Sequence, residues 1–203
     1  MIKSVVFDLG NVLVDLQYER GFAKFGAYCR LPPAEAMARL AGLSRRTNLG
    51  QLDPWDFYQE ARTVLELSPE ADFHTFRAIY GGIFGGRPGM GRLLRALAPR
   101  YRLGVCSNTD MIHLHAILEE FAYVRIPTVR VLSYEVGLMK PDPRIYELLL
   151  ERLGTAPEET VFLDDLEENV AAARRLGIRA LRVETEAQAR AALAGAGVVW
   201  EGK

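Results

Sequence analysis

SVVFDL at residues 4–9, running on into GNVLVD at 10–15, decides how the rest of the chain is read. The first run is β-rich and too apolar to alternate, as expected of a parallel strand covered on both faces. It stops at a carboxylate, Asp8, and turns through Leu9, Gly10 and Asn11. An acid at the end of a buried strand lies at the carboxyl edge of a sheet. That edge is where open α/β folds bind ligands.

Four more β-rich runs follow: YRLGVCS (101–107), VRVLS (129–133), TVFLD (160–164) and RALRV (179–183). Helical patterns separate them, at 90–101, 110–121, 142–154 and 166–177. The third opens on Asp142 and Pro143 and closes on Gly154, a cap, a first-turn proline and a terminal glycine in the expected order. In the second, Met111, Leu114, Leu118 and Phe121 share one helical face. The alternation predicts an α/β fold, a Rossmann-like doubly wound parallel sheet.

Residues 16–85 break the alternation with four helical segments, at 18–29, 33–43, 53–65 and 69–84. The expected organisation is a core of 1–15 and 86–203 with an inserted all-helical cap over 16–85, and GGRPG (85–89) as the return hinge. A cap entering there would sit over the carboxyl ends of the strands.

With 203 residues, 49% of them hydrophobic, the chain can bury one sizeable core with an insert. A net charge of −1 with no basic stripe argues against nucleic acid as a partner. No window approaches the roughly 18 apolar residues of a membrane span. Asp8 cuts the first apolar run too early for a secretion signal. Cys29 and Cys106 are the only cysteines, and Cys106 reads as a small buried hydrophobe. The pattern suits a reducing, cytoplasmic location.

Four features fall at a predicted strand end or in the loop after it: Asp8, Ser107-Asn108, Lys140 in GLMKPDP after the third strand, and Asp164-Asp165. Three acids in one crevice would repel one another unless a cation sat among them. Mg²⁺, a hard cation with oxygen ligands, is the simplest choice. A lysine and donors at a helix start add an anion site. Together these groups suit phosphoryl transfer through a carboxylate nucleophile.

The ordered set FDLGNVLVD, CSNTD, GLMKPDPRIY and FLDDLEENV resembles the haloacid dehalogenase superfamily across the whole chain. NLGQLDPWDF looks like a recurrent element of its caps, and FDLGNV is similar to members acting on sugar phosphates, including aldose 1-phosphates. The resemblance implies that Asp8 is the nucleophile and a metal ligand. Asp165 would be a further ligand, with Asp164 as a ligand or a supporting acid, and Gly10 would offer its backbone carbonyl. Ser107, Asn108 and Lys140 would hold the phosphate, Lys140 also as a catalytic group. The expected partner is a small phosphate ester, and the expected assembly a monomer or homodimer.

One departure stands out. Most phosphatases of the superfamily carry DxD, and the second aspartate serves the leaving group as acid. Here that position is Gly10, which removes a contribution of about 10²–10⁴-fold. A phosphatase for good leaving groups fits best. A metal-independent 2-haloacid dehalogenase and a weakly active phospho-ligand-binding module are alternatives. Asp15 and His113 are candidate replacement acids, and Asn11 could hydrogen-bond the phosphate or the turn. Arg45, Arg46, Asn48, Gln51, Trp55 and Tyr58 are the cap residues that could select substrate.

Overall fold

The computed structural model describes residues 1–200. After β1 (Ser4–Phe7) come β2 (Val14–Leu16) and four helices: α1 (Tyr18–Phe25), α2 (Pro33–Asn48), α3 (Pro54–Val64) and α4 (Phe73–Gly81). The chain returns through β3 (Phe84–Gly86) into α5 (Pro88–Leu97), β4 (Arg102–Ser107) and α6 (Met111–Glu120). Next are β5 (Val129–Leu132), α7 (Ser133–Val136), α8 (Pro143–Leu153), β6 (Thr160–Asp164), α9 (Glu167–Arg175), β7 (Arg179–Arg182) and α10 (Glu186–Gly195).

Five strands form one parallel sheet in the order β5-β4-β1-β6-β7. The order reverses on either side of β1, which opens a crevice at the carboxyl ends of β1, β4 and β6. Strand residues alternate between two cores. Val5, Phe7, Val105 and Leu163 pack on one face; Val6, Cys106 and Phe162 pack on the other. Both faces are dry, which is why the strands read as continuous apolar runs.

Local chemistry sets the helix ends. Asp53, Asp72, Asp110 and Asp142 each cap a helix by accepting from its first backbone N–H groups. Gly154 and Gly177 follow α8 and α9 in the left-handed conformation. On α6 the buried face is Ile112, Leu114 and Ile117, whereas Met111 is exposed. The expected apolar face is therefore corrected by part of a turn.

β2 and β3 pair antiparallel and form a stem below α1–α4. Arg87, just after the stem, fastens it. Its Nε donates to Asp15 Oδ1 at 2.5 Å and its Nη1 to the Asn11 carbonyl at 2.6 Å. The Arg87 backbone N–H donates to the Tyr123 hydroxyl, which itself donates to the Leu13 carbonyl. Helices α1–α4 have their own apolar centre around Phe57, Tyr58, Phe76 and Tyr80.

Gly50, beyond the end of α2, touches the core at α7. Its φ is +69°, and a Cβ there would lie 2.2 Å from the Tyr134 carbonyl oxygen. Both facts exclude a side chain. Gly50→Ala is expected to cost about 2–3 kcal/mol, seen as a lower urea midpoint at an unchanged m-value.

Candidate active site

A cavity of about 630 Å³ lies between the helices α1, α2 and α4 and the carboxyl edge of the sheet. Asp8, Gly10, Ser107, Asn108, Lys140 and Asp165 all line it. Asp164 lies fully buried within the same carboxylate cluster.

Lys140 is the organising charge. Its Nζ is 3.0 Å from Asp8 Oδ1 and 2.5 Å from Asp164 Oδ2. The side chain is 1% exposed. Burial disfavours its charge, but the two carboxylates overcome this and hold the ammonium well above its ordinary pKa. Asn108 fixes the loop that carries it: the carboxamide donates to the Lys140 carbonyl at 2.9 Å and accepts the Lys140 N–H at 2.8 Å. The Asn108 side chain is thus committed to the lysine backbone, which leaves its backbone N–H as the group it can offer an anion in the cavity it lines.

Asp8 accepts from the Leu9 N–H at 2.7 Å and from the Ser107 hydroxyl. Burial pushes its carboxyl up to about 6, against the pull of Lys140 and with the push of Asp164. Asp164 takes Lys140 on one oxygen, and the Leu166 N–H and the Asn169 amide on the other. Asp165 accepts from the Asn11 amide at 3.0 Å. Asn11 stands at φ +54° and also accepts the Leu16 N–H at 3.2 Å, so it ties Asp165 to the turn rather than facing the cavity freely.

Ligand oxygens of Asp8, Asp164 and Asp165 lie within 4.8 Å of one another. Three carboxylates set against one lysine leave a surplus of negative charge. All-oxygen donors at that spacing fit a hard divalent cation such as Mg²⁺.

The replacement acids suggested by sequence are otherwise engaged. Asp15 pairs with Arg87. His113 lines the cavity, but its Nδ1 is 3.0 Å from Asp110 Oδ2 and its Nε2 is 3.1 Å from the Tyr80 carbonyl. At position 10 a Cβ would lie 3.0 Å from Leu16 Cδ1, so an apolar side chain crowds the place an acid would need.

Of the six cap residues considered, only Asn48 lines the cavity. Arg46 pairs with Glu60, and Trp55 and Tyr58 pack against Phe73. The sequence reading missed Tyr80 and Asp110. The Tyr80 hydroxyl donates to Asp110 Oδ2 at 3.0 Å and its ring stacks on His113, joining α4 to α6.

The sequence matches the profile of the haloacid dehalogenase-like hydrolases over residues 2–177. The chain belongs to that family. Within it, the chain stands with the phosphoric monoester hydrolases. It is 29% identical to a Mycobacterium tuberculosis protein named phosphatase MT3486, over 93% of this chain and 90% of the relative. It is 28% identical to a D-ribitol-5-phosphate phosphatase of Bacteroides thetaiotaomicron, over 94% of this chain and 96% of the relative. The crystal structure of a family enzyme from that organism, with magnesium and inorganic phosphate, superposes with a TM-score of 0.81. It is 28% identical and covers 90% of this chain and 94% of that one. Among the described residues no helix is long and apolar enough to cross a membrane.

Asp110 gives a pH test. Burial raises its pKa, but His113, the His113 N–H and the Tyr80 hydroxyl outweigh it and hold the carboxyl below its ordinary 3.8. A depressed pKa means stability that is present above the ordinary value and lost as pH falls below it. Asp110→Asn is expected to lose about 1–3 kcal/mol near neutrality, with the gap to wild type closing in urea melts below about pH 4.

Proposed function

We propose that this hydrolase is a Mg²⁺-dependent phosphatase that cleaves a small phosphomonoester through an aspartyl-phosphate on Asp8. The observation that carries it is the buried Lys140 held between Asp8 and Asp164, with Asp165 beside them. A haloacid dehalogenase that needs no metal would have no use for three converging carboxylates.

Asp8, Asp165 and Asp164 would hold the ion, with the Gly10 carbonyl as the resemblance implies. When bound, Mg²⁺ neutralises charge on the phosphate oxygens. Lys140 adds a fixed positive charge on the same side, and Ser107 orients the Asp8 carboxylate. The Asp8 carboxylate attacks phosphorus and forms the acyl phosphate as the P–O bond to the leaving oxygen breaks, and the departing alkoxide takes its proton from water. Water then cleaves the acyl phosphate, releasing phosphate and restoring Asp8. Closure of the helices over the cavity would exclude bulk water. We place the protein in the cytoplasm, a reading supported by two buried cysteines that form no disulfide.

Two readings of the alcohol compete. A sugar phosphate has support from the name of the ribitol-phosphate relative. The walls of the cavity favour a different class, argued below. Both must accommodate Gly10, because the alcohol leaves without help from an aspartate there.

Phosphate release from p-nitrophenyl phosphate is expected to require Mg²⁺ and to fall about 10³-fold or more in Asp8→Asn. Retention of activity in EDTA would overturn the reading. Across esters of increasing leaving-group pKa, kcat/KM is expected to fall steeply. Gly10→Asp should flatten that dependence, with a gain of about tenfold or more on alkyl esters. Leu16 has to turn aside to admit it, a movement its flexible end allows.

A further inference from the structure

We propose that the leaving alcohol is apolar: the site takes the monophosphate of a hydrocarbon alcohol in preference to a phosphorylated polyol. This rests on the phosphomonoester reading above and narrows it.

The cavity has two unlike ends. Toward the sheet, its carboxylate and ammonium groups are Asp8, Asp165 and Lys140. Away from the sheet, where the alcohol of a phosphate on Asp8 must lie, the walls are Leu16, Phe25, Met37, Leu40, Ile83 and Phe84. Helices α1, α2 and α4 put no carboxylate, ammonium or guanidinium group into the lining. The polar side chains they do supply are few. The Tyr80 hydroxyl is already spent on Asp110, and Ser44 hydrogen-bonds Tyr80. Tyr18 and Asn48 remain; of the other polar side chains in the lining, His113 is held by Asp110 and the Tyr80 carbonyl, and Asn11 by Asp165 and the Leu16 N–H. A five-carbon polyol would bring four hydroxyls into this space and leave most of them without partners, a cost that scales with their number.

The mouth continues the pattern. Tyr18, Met37 and Leu166 are among the large apolar side chains that the folded chain leaves exposed, and all three line this cavity. Exposed apolar groups gathered at one opening mark a surface that is covered in use. A hydrocarbon leading out past Met37 would cover it. Leu16 makes the same point from within, because it crowds the place where an acid for the leaving oxygen would stand.

The test varies chain length at constant leaving-group chemistry. Phenyl, 4-ethylphenyl, 4-butylphenyl and 4-hexylphenyl phosphates release phenols of nearly equal acidity, so differences in kcat/KM report burial. A rise of roughly two- to fourfold per methylene is expected until the chain reaches the mouth. Met37→Gln, at a half-exposed position that does not threaten folding, is expected to flatten that rise over the longest members. In a second arm, octyl phosphate is compared with ribitol 5-phosphate by KM. The polyol is the better leaving group, which acts on kcat, so a lower KM for octyl phosphate reports the walls. Mg²⁺- and Asp8-dependent turnover with a flat chain-length series, or with the polyol preferred, overturns this inference and leaves the phosphatase reading standing. No release from any of the esters overturns both.

Discussion

A single buried ammonium organises this molecule. Lys140 lies between Asp8 and Asp164 with almost no access to water. Removing it would leave two acids facing each other in a dry crevice, where an uncompensated charge costs about 3–5 kcal/mol. The surrounding structure serves to keep it there. Asn108, at the end of β4, grips the Lys140 backbone from both sides. β1 and β6, paired in register, deliver the two acids side by side. The strand order is therefore also the electrostatic design: β1 and β6 bring the acids to one edge, and Asn108 beyond β4 holds the loop that brings the lysine there.

That arrangement also explains which parts of the site could be read from sequence. Asp8, Ser107 and Asp164-Asp165 were legible because each interrupts or ends an apolar run at a strand end, a signal local to a few residues, whereas Lys140, beyond β5 and α7, was legible through the GLMKPDP stretch. The five strands were legible for the same reason. The stem strands β2 and β3 were not. Each has three residues, and their pairing joins Val14–Leu16 to Phe84–Gly86 across the whole helical insert. Helix α10 is rich in alanine and buries only Ala189 and Leu193, so it gives little periodicity, although Thr185 and Gln188 form a capping box that marked its start.

Residues that act across elements were the hardest to see. Arg87 looked like part of a hinge and proves to be a fastening between Asp15 and Asn11. His113 looked like a possible acid. Its ring is instead sandwiched by chemistry, stacked on Tyr80 and bonded to Asp110. Trp55 and Tyr58 stood among the residues that could select substrate, yet their rings close on Phe73 away from the cavity. In each case the residue type was informative and its partner was not, because the partner lies on another helix.

The same limit bears on substrate choice. An amphipathic helix declares an apolar face, but not whether that face meets another helix or an open cavity. In α2, Leu43 and Leu40 both read as core. Leu43 packs within the helical insert, while Leu40 also borders the space above Asp8. The motifs that name the family lie at the edge of the sheet, and on the proposed reading they would hold metal and phosphate, the part that every substrate of such a site shares. Selectivity therefore has to come from the half of the cavity that carries no motif. Here that half is made of leucine, methionine, isoleucine and phenylalanine, and its few polar side chains are partly used by one another. A glycine at position 10 with a leucine beside it belongs to the same pattern. Where an acid for the leaving group would stand, this chain places a glycine with a leucine side chain against it.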